Sequence, residues 1–221
     1  MDIKANLQAV KKSFINPNCK LIAVSKTKPI EALKEAYEAG IRDFGENKVQ
    51  EIQWKQLEMP EDTKWHMIGH LQSNKVKYIA SFIHLIHGVD SFKLLKEINK
   101  QGNKADRVIS VLLQIHISEE ESKFGFDHAE LDEMIADPEF LALTHVKIIG
   151  LMGMATFTDN QDQVRKEFRG LKGLFEALKS KTLPDFVQLE EISMGMSGDY
   201  LIAQEEGSTM VRIGSSIFGA R

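Results

Sequence analysis

Cysteine is nearly absent from this chain. Cys19 stands alone among 221 residues, so no disulfide can form within it, and this suits a reducing compartment. No apolar run approaches the roughly 18 residues of a membrane span. The opening Met1-Asp2-Ile3-Lys4-Ala5-Asn6 lacks the charged-then-apolar layout of a secretory signal. A cytoplasmic protein with no membrane partner is the expectation. Basic excess is missing too: 28 − 32 leaves a net charge of −4, with no basic tail or stripe, which argues against nucleic acid as the main partner. Lys11-Lys12 and Lys75/Lys77 read as solvated helix faces. Five prolines and fifteen glycines are scattered over the chain. With no repeat, low-complexity stretch or linker among them, one domain over 1–221 is expected.

Apolar residues make up 43% of the chain, enough for one sizeable core, and their spacing alternates between two periods. Ile3, Leu7, Val10 and Phe14 predict an N-terminal amphipathic helix, broken at Asn16-Pro17-Asn18. Strands are predicted at about 20–25, 41–47, 65–69, 82–89, 108–117, 146–154, 186–194 and 209–213. Helical stripes follow them: Ile30 to Tyr37, stopped by Gly40; Val49, Ile52, Gln56 and Leu57; a helix after Lys75; Phe92 to Ile98; 128–136; Val164 to Leu178; and a short Asp199–Glu206. Eight strands alternating with helices predict a (β/α)8 TIM-like barrel with an extra N-terminal helix. An open doubly wound sheet is the alternative.

The chemistry gathers where such a barrel places it, at the C-terminal ends of strands. Lys26 ends Leu21-Ile22-Ala23-Val24-Ser25-Lys26, just before a helix opened by Pro29. A lysine there must be solvated, paired or used, and one use is a Schiff base to an aldehyde cofactor. Ser193-Met194-Gly195-Met196-Ser197-Gly198-Asp199 joins strand seven to a helix, with Ser197 placed as its N-cap and as an anion ligand. Gly214 and Ser215 end strand eight. Barrels frequently bind phosphate between these two loops, so Ser197, Gly214 and Ser215 form an expected phosphate cup facing Lys26. Lysine plus phosphate cup describes pyridoxal 5′-phosphate (PLP). Arg212 points to the same mouth, as a partner of the pyridine nitrogen, a phosphate ligand or a structural ion pair. His66 and His70 lack a carboxylate partner at ligand spacing and read as strand-end residues, so no metal is expected.

Several segments together resemble the pyridoxal phosphate homeostasis (YggS/PROSC-like) family: Ala23-Val24-Ser25-Lys26, Phe44-Gly45-Glu46-Asn47-Lys48-Val49-Gln50-Glu51, Trp65-His66-Met67-Ile68-Gly69-His70-Leu71-Gln72-Ser73-Asn74-Lys75, Ser122-Lys123, Gly150-Leu151-Met152-Gly153-Met154, Ser193 to Asp199 and Arg212 to Gly219. The resemblance implies an alanine racemase-type barrel, PLP fold type III, without that enzyme's C-terminal β-domain. It implies Lys26 as the Schiff-base lysine, Asn47 near the ring substituents, and Met152 or Met154 packed near the ring. Ser197 with the Gly214-Ser215 backbone would hold the phosphate, and Arg212 would face the pyridine nitrogen. Asn47 could equally cap a helix, and both methionines could be plain core. Lys123 is a candidate second point of PLP attachment. His116 stands where the family often has Asn.

The implied function is PLP homeostasis, buffering or delivering the cofactor to apo-enzymes, with no turnover. The alternative is an amino-acid racemase or decarboxylase, which would need a second acid/base. Tyr37, Tyr78 and Tyr200 all fall on predicted helices. The chain stops soon after strand eight, so the dimer-forming domain of a racemase is not expected, and neither is a dimer.

Overall fold

The computed structural model describes residues 2–119 and 124–219; Lys123 lies outside them. The apolar runs form eight strands: β1 (Lys20–Val24), β2 (Asp43–Glu46), β3 (Lys64–Met67), β4 (Leu85–Val89), β5 (Ile109–Gln114), β6 (Val146–Met152), β7 (Val187–Ser193) and β8 (Met210–Ile213). They pair in sequence order, and β8 returns to β1 to close the barrel. Every pairing is parallel, and the closing register runs from Lys20↔Met210 to Ala23↔Ile213. That closure excludes the open doubly wound sheet.

The helices are α1 (Ile3–Lys12), α2 (Ile30–Glu38), α3 (Val49–Glu58), α4 (Phe92–Lys104), α5 (His128–Ala136), α6 (Pro138–Leu141), α7 (Gln161–Lys179), α8 (Tyr200–Glu205) and α9 (Ser215–Phe218). Their starts follow side-chain capping where the sequence offers it. Ser91 caps α4, Asn160 caps α7, and Asp127 with Glu130 forms a reciprocal capping box on α5. α1 packs beside α2 and α9, and Asn6 Nδ2 donates to Ile217 O at 2.9 Å.

One expectation is corrected, and three short segments take forms that the sequence pattern did not specify. The helix expected after Lys75 is a 3₁₀ helix over Ser73–Tyr78. α6 begins at an Asp137 cap with Pro138 in its first turn, a start signal that the apolar period alone does not show. The residues after Gly214 coil into α9, a one-turn helix that the strand pattern does not announce. The buried side of α3 is Val49, Ile52 and Lys55, while Leu57 is 76% exposed.

The main core lies between the outward strand faces and the helices. Ala23, Phe44, Trp65, Ile86 and Val211 meet Leu33, Ile52, Leu95, Phe168 and Leu171 there. Inside the barrel a separate cluster of Leu85, Leu112, Met152 and Met210 fills the space apolarly. Buried polar side chains share the interior: His66, His87, Gln114, Ser193 and Arg212. Among the described residues, no helix is long and apolar enough to cross a membrane.

Candidate functional site

At the C-terminal ends of the strands lies a cavity of about 550 Å³, lined by Val24, Lys26, Asn47, Ser197, Arg212, Gly214 and Ser215 among others. β1 itself stops at Val24, and Lys26 sits in the turn that follows. Lys28 N–H donates to Ser25 O at 3.1 Å to close that turn. Thr27 takes φ +63°, a left-handed conformation that costs a β-branched residue energy. Glu51 Oε1 accepts from Thr27 N at 2.8 Å and holds it there.

Below the turn lies a buried ionic network that sequence reading missed. Glu46 Oε1 accepts from Ser25 Oγ at 2.6 Å and from Lys55 Nζ at 2.7 Å. Lys55 Nζ also donates to Ser25 O at 2.9 Å and to Glu51 Oε1 at 3.2 Å. Burial pushes the Glu46 carboxyl above its ordinary range, against the pull of Lys55 and Ser25. Both residues flanking Lys26 are thus tied to α3, so the lysine stands on a rigid base.

Across the cavity, Gly195 adopts φ +95°, and a Cβ on it would lie 2.5 Å from Ala203 Cβ. This turn delays α8 until Tyr200, so Asp199 and not Ser197 precedes the helix, and Ser197 does not cap it. Instead Ser197 Oγ accepts from Gly214 N at 3.2 Å, which ties the β7 and β8 loops together. Its own O–H has no acceptor among the described residues. A Cβ on Gly214 would come within 3.1 Å of Val24 O, so glycine keeps this wall close to β1. The first-turn N–H groups of Ser215 and Ser216 have no acceptor within α9.

Asn47 lines the cavity from the β2 side. Lys48, not Asn47, precedes α3, so the capping alternative fails. Met152 is placed differently from expectation. It is 1% exposed inside the barrel with Leu85, Leu112 and Met210, and Met154, two residues on, lines the mouth. Lys28, Thr156 and Phe157 line it too and were not singled out from sequence, although Lys28 stands only two residues from Lys26. Glu167 holds that loop by accepting from Thr156 N and Oγ1, both at 2.7 Å.

Arg212 is buried under the mouth. Its Nη1 donates to Ser193 O at 2.8 Å and Oγ at 2.6 Å, and its Nη2 to Gly153 O at 3.1 Å. Burial draws its pKa down to about 10, which leaves it charged near neutrality. It makes no ion pair among the described residues, so the structural salt bridge considered above is not present.

From Ser193 a line of hydrogen bonds crosses the barrel. Ser193 Oγ meets His87 Nδ1 at 2.9 Å, His87 Nε2 meets His66 Nδ1 at 2.9 Å, and His66 Nε2 meets Asp43 Oδ1 at 3.0 Å. Burial holds both imidazoles below their ordinary pKa, so both are neutral. A guanidinium only donates and a carboxylate only accepts. The line therefore has one polarity: Arg212 donates to Ser193, Ser193 to His87, His87 to His66, and His66 to Asp43. His70, by contrast, pairs separately with Asp90 at 2.9 Å.

The alanine racemase N-terminal domain family matches residues 1–221 of this chain. A pyridoxal phosphate homeostasis protein of Aquifex aeolicus is 41% identical over 206 residues, 92% of this chain and 88% of that protein. One from Schizosaccharomyces pombe is 38% identical over 218 residues, 96% and 88% of the two chains. The solved structure of PipY from Synechococcus elongatus PCC7942, with PLP bound, superposes with a TM-score of 0.88 at 34% identity, over 98% of this chain and all of that one. Alanine racemase from Bartonella henselae shares the fold alone, with a TM-score of 0.74 at 16% identity over 99% of this chain and 58% of the racemase. With its closed barrel and a lysine facing a two-loop cup, this chain belongs to the pyridoxal phosphate homeostasis family, within the alanine racemase N-terminal domain class.

Proposed function

We propose that this protein binds PLP reversibly through Lys26 and buffers it for delivery to apo-enzymes. One observation carries the reading: a single cavity brings a lysine amine, a serine hydroxyl, open backbone N–H groups and a buried arginine together. These residues fit the cofactor. Ser197 O–H and the Ser215 N–H would hold its phosphate, Lys26 its aldehyde carbon, and Asn47 its ring substituents. The aldehyde supplies reversible condensation with a primary amine, releasing water. Arg212, a donor only, keeps an adjacent ring nitrogen unprotonated and so weakens the ring as an electron sink.

A racemase of this fold would use a tyrosine as its second acid/base. Among the described residues no tyrosine lines it. Tyr37 donates to Asp62, Tyr200 meets Ser13 Oγ at 2.7 Å, and Tyr78 is 48% exposed on the 3₁₀ helix. This supports storage over turnover.

The test is an absorbance spectrum of the purified protein before and after borohydride, followed by peptide mass mapping and transfer to an apo-enzyme. A visible band lost on reduction, a phosphopyridoxyl mass on Lys26, and reactivation of the apo-enzyme are expected. Amino-acid turnover that disappears in Lys26→Ala would overturn the non-catalytic reading.

Two variants probe the ends of the cofactor. Ser197→Ala removes a hydrogen bond to a charged phosphate, a loss of about 1.5–3 kcal/mol, so PLP should dissociate roughly 10- to 100-fold more readily in equilibrium dialysis. Unchanged retention would remove Ser197 from the cup. Arg212→Gln should shift the cofactor's absorption while the far-ultraviolet circular dichroism stays near that of the parent. An unmoved spectrum would leave Arg212 a structural role.

A further inference from the structure

The geometry points to a second site, a divalent transition-metal site at the opposite end of the barrel, formed by Asp43, His66 and His84. Asp43 opens β2, His66 lies on β3, and His84 immediately precedes β4. One ligand atom from each lies within 4.8 Å of the other two. Asp43 Oδ1 and His66 Nε2 are already 3.0 Å apart, and the His66 and His84 rings meet edge-on at 5.2 Å between centroids. Two imidazoles and one carboxylate are a donor set that zinc takes at metal–ligand distances of about 2.0–2.2 Å, with water completing the tetrahedron. Such ligands sit about 3.3 Å apart around the ion. The exposed His84 ring closes the remaining distance by turning about its side-chain torsions, and it makes no hydrogen bond or ion pair among the described residues.

His66 is also prepared from behind. A metal-bound imidazole is oriented by an acceptor for its other N–H, and His87 Nε2 stands 2.9 Å from His66 Nδ1. The nearest cations do not fill the site. Lys20 is paired with Glu191, and Lys64 is exposed at the strand's start.

Coordination has a consequence inside the barrel. His66 Nε2 can no longer donate to Asp43, so the His66 proton moves to Nδ1 and is given to His87 Nε2. His87 then carries its proton on Nδ1 and donates to Ser193. Both imidazoles change tautomer, with no net proton gained or lost. Ser193 Oγ becomes the acceptor of both His87 and Arg212. The metal would thereby reverse the hydrogen-bond line that ends beneath the mouth.

The test uses untagged full-length protein titrated with Zn²⁺ by calorimetry and with Co²⁺ by visible absorption. One ion per chain is expected, with tetrahedral-type Co²⁺ bands. His84→Ala should weaken binding by about ten-fold or more, and His128→Ala, at the start of α5, should leave it unchanged. Asp43→Asn, which keeps the side chain's shape, supplies the same comparison if His84→Ala does not fold. In ¹⁵N spectra the protonated His87 nitrogen should switch from Nε2 to Nδ1 on loading. No binding, or binding indifferent to both His84→Ala and Asp43→Asn, overturns the site. None of these readouts depends on PLP.

Discussion

Lys26→Ala is expected to abolish covalent capture of PLP while leaving a weaker, phosphate-held complex. After borohydride, the parent protein should carry a phosphopyridoxyl mass on the peptide containing Lys26, and the variant should carry none. The cavity offers a second amine, which makes the result informative. Lys28 also lines it, with its Nζ donating to Gly219 O at 3.1 Å. Lys28→Ala should therefore retain reducible cofactor on Lys26. The Ser197–Gly214 cup is untouched in Lys26→Ala, so dialysis should still detect PLP there, lost faster and without the visible band. If the mass appears on Lys28 in the parent, or the band survives in Lys26→Ala, the assignment of the anchoring lysine is wrong.

The barrel and most of its mouth were legible because both are written in local pattern. β1 reads as an apolar run ending at a lysine, and the loops after β7 and β8 carry their glycines and serines in short contiguous stretches. What was misread depends on where a turn or a face falls. Ser197 has the right residue type for a cap, but the left-handed Gly195 moves the helix start to Tyr200. Met152 and Met154 share a face in an ideal strand. β6, however, shifts register against both neighbours near Ile148 to Gly150 and ends at Met152, so one methionine is core and the other rim. The line from Arg212 to Asp43 was invisible for a different reason. Its partners are separated by 19, 106, 21 and 23 residues, so only barrel closure brings them together. Lys55 was hidden by its own type, because a lysine on an amphipathic helix reads as solvated, and apolar Leu57 drew the buried stripe to the wrong side.

That hidden lysine leads to the second large effect. Lys55 and Glu46 are both fully buried, and three acceptors take the Lys55 ammonium, on Glu46, Glu51 and Ser25. Glu46 Oε2 has no partner among the described residues, so Lys55 is the main charge opposing the buried carboxylate. Lys55→Met keeps the stem and removes the charge. Stranding one member of a buried pair costs about 3–5 kcal/mol, a large part of the roughly 5–15 kcal/mol that holds a domain folded. At about 2–4 °C per kcal/mol for a chain of this size, the melting temperature should fall by roughly 6–20 °C. The pH dependence has a definite sign. Burial already raises Glu46 in the folded state, so the folded form binds the proton more tightly than the unfolded one. Stability from this group is therefore present at low pH and declines as pH rises through the raised folded value. Without Lys55 that value rises further, so the deficit of Lys55→Met should be greatest near pH 8 and shrink towards pH 5. Adding Glu46→Gln should recover most of the loss at pH 8, because the uncompensated charge is gone. Urea titrations of the single and double variants at both pH values measure this directly. A deficit below about 1 kcal/mol, or no recovery in the double variant, would mean that water reaches Glu46 and that the turn carrying Lys26 does not rest on this pair. A real deficit should also appear at the cavity, since Ser25 and Thr27 are tied to the same network, and PLP retention should fall along with stability.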